Sequence, residues 1–189
     1  MDQTLKSPQP IDAPAVDMHL QLLLDRHFSP VAAQAAIDID AEIANMRRSM
    51  ARKDFGRMAL RELKLELDMT DLEVISMIEC GPGGNGQITV GLIAERLAVD
   101  PSRASRIVAD AVDKGIVRRV ASQSDARRIG LELTDLGSAH AEAIRQFKWN
   151  TFAEAFNNWS DEDLVTFARL FSRYSTTMSE IKTSKSEQA

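Results

Sequence analysis

Apolar positions recur in steps of three and four residues near both ends of the chain. In a segment predicted as one helix over residues 30 to about 54, they are Ala32, Ala36, Ile39, Ile43, Met46 and Met50. In a segment predicted as a helix over residues 160 to about 182, they are Leu164, Phe167, Phe171, Tyr174, Met178 and Ile181. Such steps place the positions along one side of a helix. Each end therefore predicts a helix with an apolar seam.

The two seams allow two interpretations. They pack against each other within one chain as a helical bundle, or they join two copies of the chain. A helix of ~25 residues spans roughly 40 Å, which is longer than a compact lobe of this size requires. Length therefore favours a homodimer, the commonest symmetric assembly. The predicted dimer interface consists of Ile39, Ile43, Met46, Met50, Phe167, Phe171, Tyr174 and Met178.

Between the seams, the pattern changes to short helices followed by two strands. Thr70-Asp-Leu-Glu73 predicts a capping-box start for an apolar helix that ends at Cys80. The stretch GPGGNG over 81–86 predicts a turn, because a phosphate-binding loop would continue into Gly-Lys-Ser/Thr and this one continues into Gln-Ile-Thr. We then expect helices over 90–97 and 101–115, strands over 116–121 and 129–133, and a helix from Thr134 to about residue 158.

The segment 101–115 has the composition of a helix that enters the major groove of DNA. Asp100 predicts its N-cap, and Pro101 suits the first helical position, where no backbone N–H is lost. Small hydroxyls and arginines lie in its first two turns, opposite an apolar face, and such groups read base edges. Helix-turn-helix followed by a hairpin predicts a winged helix, whose tip reaches an adjacent minor groove. The predicted DNA-binding residues are Ser102, Arg103, Ser105, Arg106, Arg118, Arg119, Arg127 and Arg128.

The charge of the chain is unevenly distributed. The formal net charge is −5, yet residues 96–128 hold eight Lys and Arg against four Asp and Glu, and residues 47–64 hold seven against two. This asymmetry favours a basic face on an acidic body, a face that meets a polyanion, although two solvated helix faces would give the same counts. The basic run over 47–64 allows three interpretations. It adds phosphate contacts, it binds an anionic ligand, or it is a solvated helix end and loop.

Other features exclude several classes of protein. No apolar run approaches the ~20 residues that cross a bilayer, and the first residues lack the apolar core of a signal peptide. Cys80 is the only cysteine, which fits a reducing cytoplasm. His19, His27 and His140 lack metal-ligand spacing, so we expect no metal. His27 and His140 lie beside apolar stripes, which predicts satisfied packing histidines, with a metal or pH role as the alternative. No nucleophile–base–acid set is recognisable, so we expect neither an enzyme nor a cofactor other than a small-molecule effector.

Several of these motifs together resemble the MarR (multiple antibiotic resistance regulator) family. They are Asp100-Pro-Ser-Arg-Ala-Ser-Arg106, Gly115 with Arg118-Arg119, and Asp125-Ala-Arg127 running into Leu131-Glu-Leu-Thr134 with Gly137. The resemblance covers about residues 30–180 and implies a homodimer with two winged-helix lobes, a palindromic DNA operator and repression relieved by a small ligand. By this analogy Asp125 braces the wing and Arg127 is its minor-groove arginine. The short, serine-rich wing and residues 1–29 depart from the family pattern.

The sequence therefore predicts a mainly α fold with a small β-hairpin wing. We expect a partly disordered extension (1–29), an N-terminal dimerisation helix and linker (30–69), a winged helix-turn-helix (70–134), C-terminal dimerisation helices (135–182) and a flexible tail (183–189). The predicted function is a cytoplasmic, homodimeric, sequence-specific DNA-binding transcriptional regulator, a repressor released by a small ligand, with no membrane partner. The alternative is a winged-helix module that binds an acidic protein and has no specific DNA binding.

Overall fold

A computed structural model of the protein describes residues 13–81, 88–121 and 129–186, with side chains from residue 18 onward. The expectation of a mainly α fold with one β-hairpin is confirmed, and the predicted elements occur in the predicted order. Two further helices lie in the predicted extension and in the predicted linker. The elements are α1 (Ala13–Asp25), α2 (Pro30–Ala51), α3 (Asp54–Glu62), α4 (Met69–Cys80), α5 (Val90–Leu97), α6 (Pro101–Asp113), β1 (Val117–Ala121), β2 (Ile129–Leu133), α7 (Asp135–Phe156) and α8 (Asp161–Ser186).

The chain divides into two compact units, residues 1–58 and 59–189. In the first unit α1 packs against α2. Ser29 caps α2 by accepting a hydrogen bond from the Ala32 backbone N–H at 3.3 Å. The helix ends at Ala51, and the left-handed conformation of Lys53 (φ 55°) turns the chain before α3 begins. The sequence indicated a linker after α2 and gave no sign of α3.

The second unit buries its core between α4, α5, α6 and the hairpin. Its largest fully buried side chains are Ile75, Ile93, Ile116, Leu131, Val74, Val108 and Val117. The apolar face predicted for the helix after Pro101 forms part of this core, since Ala104, Val108 and Ala111 are fully buried. The backbone N–H of Leu131 also donates to the carbonyl of Ile88 at 2.8 Å, which ties β2 to the segment before α5.

The start of α4 differs from the prediction. The N-cap is Asp68, whose Oδ1 accepts hydrogen bonds from the backbone N–H groups of Thr70 (2.7 Å) and Asp71 (2.9 Å). Asp71 closes the capping box by accepting from the Asp68 backbone N–H at 2.8 Å. The capping box predicted from Thr70 to Glu73 was therefore wrong by two residues, because Asp68 supplies an equally good cap one half-turn earlier.

The last two helices begin where the sequence predicts. Thr134 caps α7 by accepting from the Gly137 backbone N–H at 3.0 Å. The Ser160 hydroxyl accepts from the Asp163 backbone N–H at 3.1 Å and starts α8. Helix α8 continues through residues 183–186, part of the segment predicted as a flexible tail, where Ser184 and Ser186 hydroxyls donate to carbonyls one turn earlier. Within the described part of the chain, no helix has the length and apolar composition needed to span a bilayer.

Candidate nucleic-acid interface

Helix α6 presents polar side chains on the face opposite the core. Ser102, Arg103, Ser105 and Arg106 are all exposed, as predicted. The Asp100 carboxylate accepts from the Arg103 backbone N–H at 3.0 Å, and Pro101 occupies the first position. The cap therefore fixes the first turn, the buried alanines and valine fix the rotation of the helix, and the two arginines project from its N-terminal half into solvent.

The C-terminal end of α6 is attached to the N-terminus of α4 by Lys114. Its Nζ lies 2.8 Å from the buried Asp71 carboxylate, 2.6 Å from Asp110 and 3.7 Å from Asp68. Burial opposes the charge on Lys114, but hydrogen bonds to Asp110 and Asp71 outweigh it and raise the lysine pKa above its ordinary 10.5. The three carboxylates are close enough together to bind a metal ion, and an ammonium group already contacts all of them.

The glycine and threonine of the Leu-Thr-x-x-Gly motif join the hairpin to α7. The Thr134 hydroxyl donates to the Gly115 carbonyl at 2.6 Å, while its backbone N–H donates to the Ile116 carbonyl at 3.1 Å. Gly137 lies so close to this turn that a Cβ added to it would fall 2.0 Å from the Ile116 carbonyl oxygen. This motif therefore sets where the wing leaves the core.

The wing begins as a regular antiparallel ribbon in which Arg118 pairs with Glu132 and Arg119 with Leu131. Both arginines are exposed, as the predicted DNA contacts require. The Arg118 guanidinium, however, forms an ion pair with Glu132 at 3.0 Å. This pair was not predicted from the sequence. Asp125, Arg127 and Arg128, the predicted brace and tip arginines, lie outside the described residues.

Part of the positive charge in the basic run over 47–64 is paired with neighbouring carboxylates. Arg52 donates to Asp54 through Nε and Nη2, and this hydrogen bonding raises the pKa of Arg52 and lowers that of Asp54. In the second unit Arg61 pairs with its neighbour Glu62 at 3.0 Å. These pairs are exposed, so the run resembles a solvated surface more than a built anion site.

The predicted interface residues carry apolar surface that the single chain leaves exposed. On α2 this holds for Ile39, Met46 and Met50, while Ile43 is half-buried. On α8 it holds for Phe167, Phe171, Tyr174 and Met178, each between 41% and 48% exposed. Aromatic rings in contact run from α7 into α8 through Trp149, Phe152, Phe156, Trp159, Phe167 and Phe171.

The remaining candidate groups show no catalytic arrangement among the described residues. Cys80 is exposed at the end of α4. The expectation of packing histidines is wrong for His27, which is exposed in a left-handed turn with φ 67°. The ring of His140 does pack into the protein, but its buried Nδ1 has no hydrogen-bond partner within the described part of the chain.

Comparisons with known proteins agree with this geometry. Residues 67–128 match the model of the MarR family. A MarR family protein from Bacillus stearothermophilus superposes with a TM-score of 0.59 at 20% identity, covering 75% of this chain and 96% of that one. S. aureus MepR bound to ethidium bromide gives 0.54 at 15% identity, covering 71% and 95%. A single-residue variant of S. aureus MepR bound to an oligodeoxyribonucleotide gives 0.50 at 15%, covering 71% and 97%. No curated protein matches the chain.

Proposed function

We propose that the chain is a homodimeric, sequence-specific DNA-binding transcriptional regulator, a repressor that a small ligand releases, because residues 67–128 match the model of the MarR family. One observation carries the DNA-binding part of this proposal. Helix α6 is held in place by its buried face, its Asp100 cap and Lys114, and it projects Arg103 and Arg106 from its N-terminal half. A helix presented in this way fits a major groove, where arginine pairs with guanine edges.

The decisive experiment selects bound duplexes from a randomised pool, with and without candidate ligands. A palindromic consensus with half-sites about one helical turn apart is expected from a two-fold dimer.

The second candidate function is a module that binds an acidic protein through its basic face. Phosphate contacts release counterions and give affinity a steep salt dependence, so a protein with no duplex affinity even at low salt would support the second function.

Replacing Arg103 or Arg106 with alanine is expected to weaken binding to the selected duplex by about 5- to 150-fold, equivalent to ~1–3 kcal/mol. Binding to an unrelated duplex should fall much less, because base contacts discriminate between sequences and phosphate contacts do not. Fluorescence anisotropy with both duplexes measures the two affinities. Arg26→Ala, at an exposed position outside the winged helix, is the matched control. Equal affinity of all three variants for the selected duplex would contradict the assignment of α6.

The dimer part of the proposal is supported by the exposed seams on α2 and α8. A stable dimer buries about 800 Å² on each partner, and the apolar side chains along α8 offer a continuous stripe for such a contact. Aromatic anchors usually dominate the energy of interfaces of this kind. The palindromic operator expected from the family resemblance requires the same two-fold symmetry.

We expect Phe171→Glu to weaken dimerisation by at least about 100-fold, because each of the two equivalent rings contributes roughly 1.5–3 kcal/mol when buried. Sedimentation equilibrium over a range of concentrations measures this change. Val165→Glu is the control, since Val165 is 67% exposed but lies on the opposite side of α8 from the seam. Dissociation by both variants, or by neither, would contradict an interface on the Phe171 side.

Ligand release is supported by a groove at the junction of α7 and α8. It has a volume of about 510 Å³ and is lined by Asn158, Trp159, Asp163, Thr166, Phe167 and Leu170. This volume lies within the range of small-molecule sites, although the groove is largely open to solvent, and the Trp159 and Phe167 rings in its lining meet edge to face at 5.3 Å. Phe167 belongs both to the groove and to the proposed interface, so we propose that a ligand bound here acts on the contact between the two chains.

A further inference from the structure

Arg118 and Glu132 face each other directly across the two strands of the wing. The guanidinium donates through Nε at 3.3 Å and through Nη2 at 3.0 Å, and both bonds go to the same carboxylate oxygen, Oε2. In the neighbouring pair, Arg119 lies opposite Leu131 and has no carboxylate across the ladder. The two arginines at the base of the wing therefore differ in one respect: only Arg118 has an acidic partner directly across the ribbon.

The ion pair between Arg118 and Glu132 is weak enough for Arg118 to exchange the carboxylate for another anion. The side chains of Arg118 and Glu132 are 60% and 47% exposed. Exposed ion pairs contribute little to stability, because water screens them and both side chains lose conformational freedom. A phosphate group offers arginine the same bidentate recognition as a carboxylate. A phosphate that approached Arg118 would therefore meet a guanidinium that is already paired with Glu132.

We propose that Glu132 limits the affinity of the wing for DNA by holding Arg118 on the protein, so that this guanidinium is not available to a phosphate. This inference rests on the proposed DNA-binding function. It assigns Glu132 a positioning role with a definite sign: the carboxylate competes with DNA. A carboxylate that instead oriented Arg118 toward DNA would have the opposite effect on affinity, so the two roles are separable by experiment.

The experiment is a double-mutant cycle on the full chain with Glu132→Gln, Arg118→Ala and the double variant, using one selected duplex at several salt concentrations. Glu132→Gln is expected to bind the duplex about 2- to 5-fold more tightly, the scale of an exposed ion pair. The salt dependence of this variant's affinity should steepen by about one phosphate contact, because Arg118 is now available to bind a phosphate. In the Arg118→Ala background, Glu132→Gln should produce no more than the gain caused by Glu95→Gln, which removes an exposed carboxylate from α5.

The possible outcomes are distinct. Weaker binding by Glu132→Gln would show that the carboxylate braces Arg118, and an equal gain with and without Arg118 would show that only net charge matters; either result overturns the inference. The proposed function would survive both. Absence of duplex binding by the wild-type chain at low salt would overturn the proposed function and the inference together. Thermal unfolding of each variant checks that the ribbon is intact, since an exposed pair should change the melting temperature little.

Discussion

Replacing Lys114 with methionine is expected to lower the free energy of unfolding by about 3 kcal/mol, because removing one member of a buried ion pair leaves the other charge uncompensated. Asp71 is that other charge: its side chain is only 4% exposed, and Lys114 lies 2.8 Å away. The Asp68 backbone N–H still donates to Asp71 in the variant and compensates part of the loss. Urea unfolding at pH 7 and a fixed protein concentration measures the change.

The contributions of Lys114 and Asp68 to the free energy of unfolding also depend on pH, at high pH for the lysine and at low pH for the carboxylate. The pKa of Lys114 is raised on folding, so its stabilisation is complete below pH 10.5 and is lost as the pH rises through the higher folded value. Burial of Asp68 acts to raise its pKa, but hydrogen bonds from the Asp71 and Thr70 backbone and the charge of Lys114 lower it below 3.8. The Asp68 contribution is therefore present above pH 3.8 and is lost as the pH falls through the folded pKa.

A second substitution separates the uncompensated charge from lost packing. Adding Asp71→Asn to Lys114→Met removes the buried charge while keeping an oxygen that accepts from the Asp68 backbone. The double variant should therefore be more stable than the sum of the two single changes predicts. Arg169→Met, at an exposed position on the side of α8 away from the seam, should change stability by no more than about 0.5 kcal/mol. Simple additivity of the Lys114 and Asp71 changes would contradict the ion-pair explanation.

Local signals were sufficient to predict most of the winged helix. The Asp100-Pro101 pair marked the start of α6, the spacing of Ala104, Val108 and Ala111 marked its buried face, and Thr134 marked the start of α7. Each of these signals acts within one or two helical turns. They are readable in a sequence because the groups that satisfy one another are neighbours along the chain.

The features that the sequence did not reveal depend on distant residues. Asp68 and Thr70 are both good N-caps, and the structure favours Asp68, whose partner Asp71 also pairs with Lys114, 43 residues further along the chain. The Arg118–Glu132 pair follows from the register of two strands, which neither strand specifies alone. The seam on α8 was visible as a pattern, but the single chain leaves it exposed, and the residues that cover it in the proposed dimer belong to a second chain.

Gly137→Ala is expected to destabilise the protein by about 3 kcal/mol, the upper end of the usual cost of overpacking, because the clash involves backbone. The added Cβ would lie 2.0 Å from the Ile116 carbonyl oxygen, 3.0 Å from its carbon and 3.3 Å from Leu133 Cδ2. Relief requires α7 to move away from the hairpin, which would strain the hydrogen bonds of Thr134 to Gly115 and Ile116. The substitution should therefore also weaken duplex binding, since it shifts the base of the wing.

Gly91→Ala provides a control within the same unit. A Cβ at Gly91 meets only the Thr89 hydroxyl oxygen, at an ordinary 3.8 Å, and the residue lies in α5. Alanine in a helix is more favourable than glycine by roughly 0.5–1 kcal/mol, so this variant should be more stable than the wild type. The two glycine-to-alanine changes thus have opposite expected signs in the same urea titration. If Gly137→Ala proved neutral or stabilising, the close approach of α7 to Ile116 could not be what this glycine of the Leu-Thr-x-x-Gly motif provides.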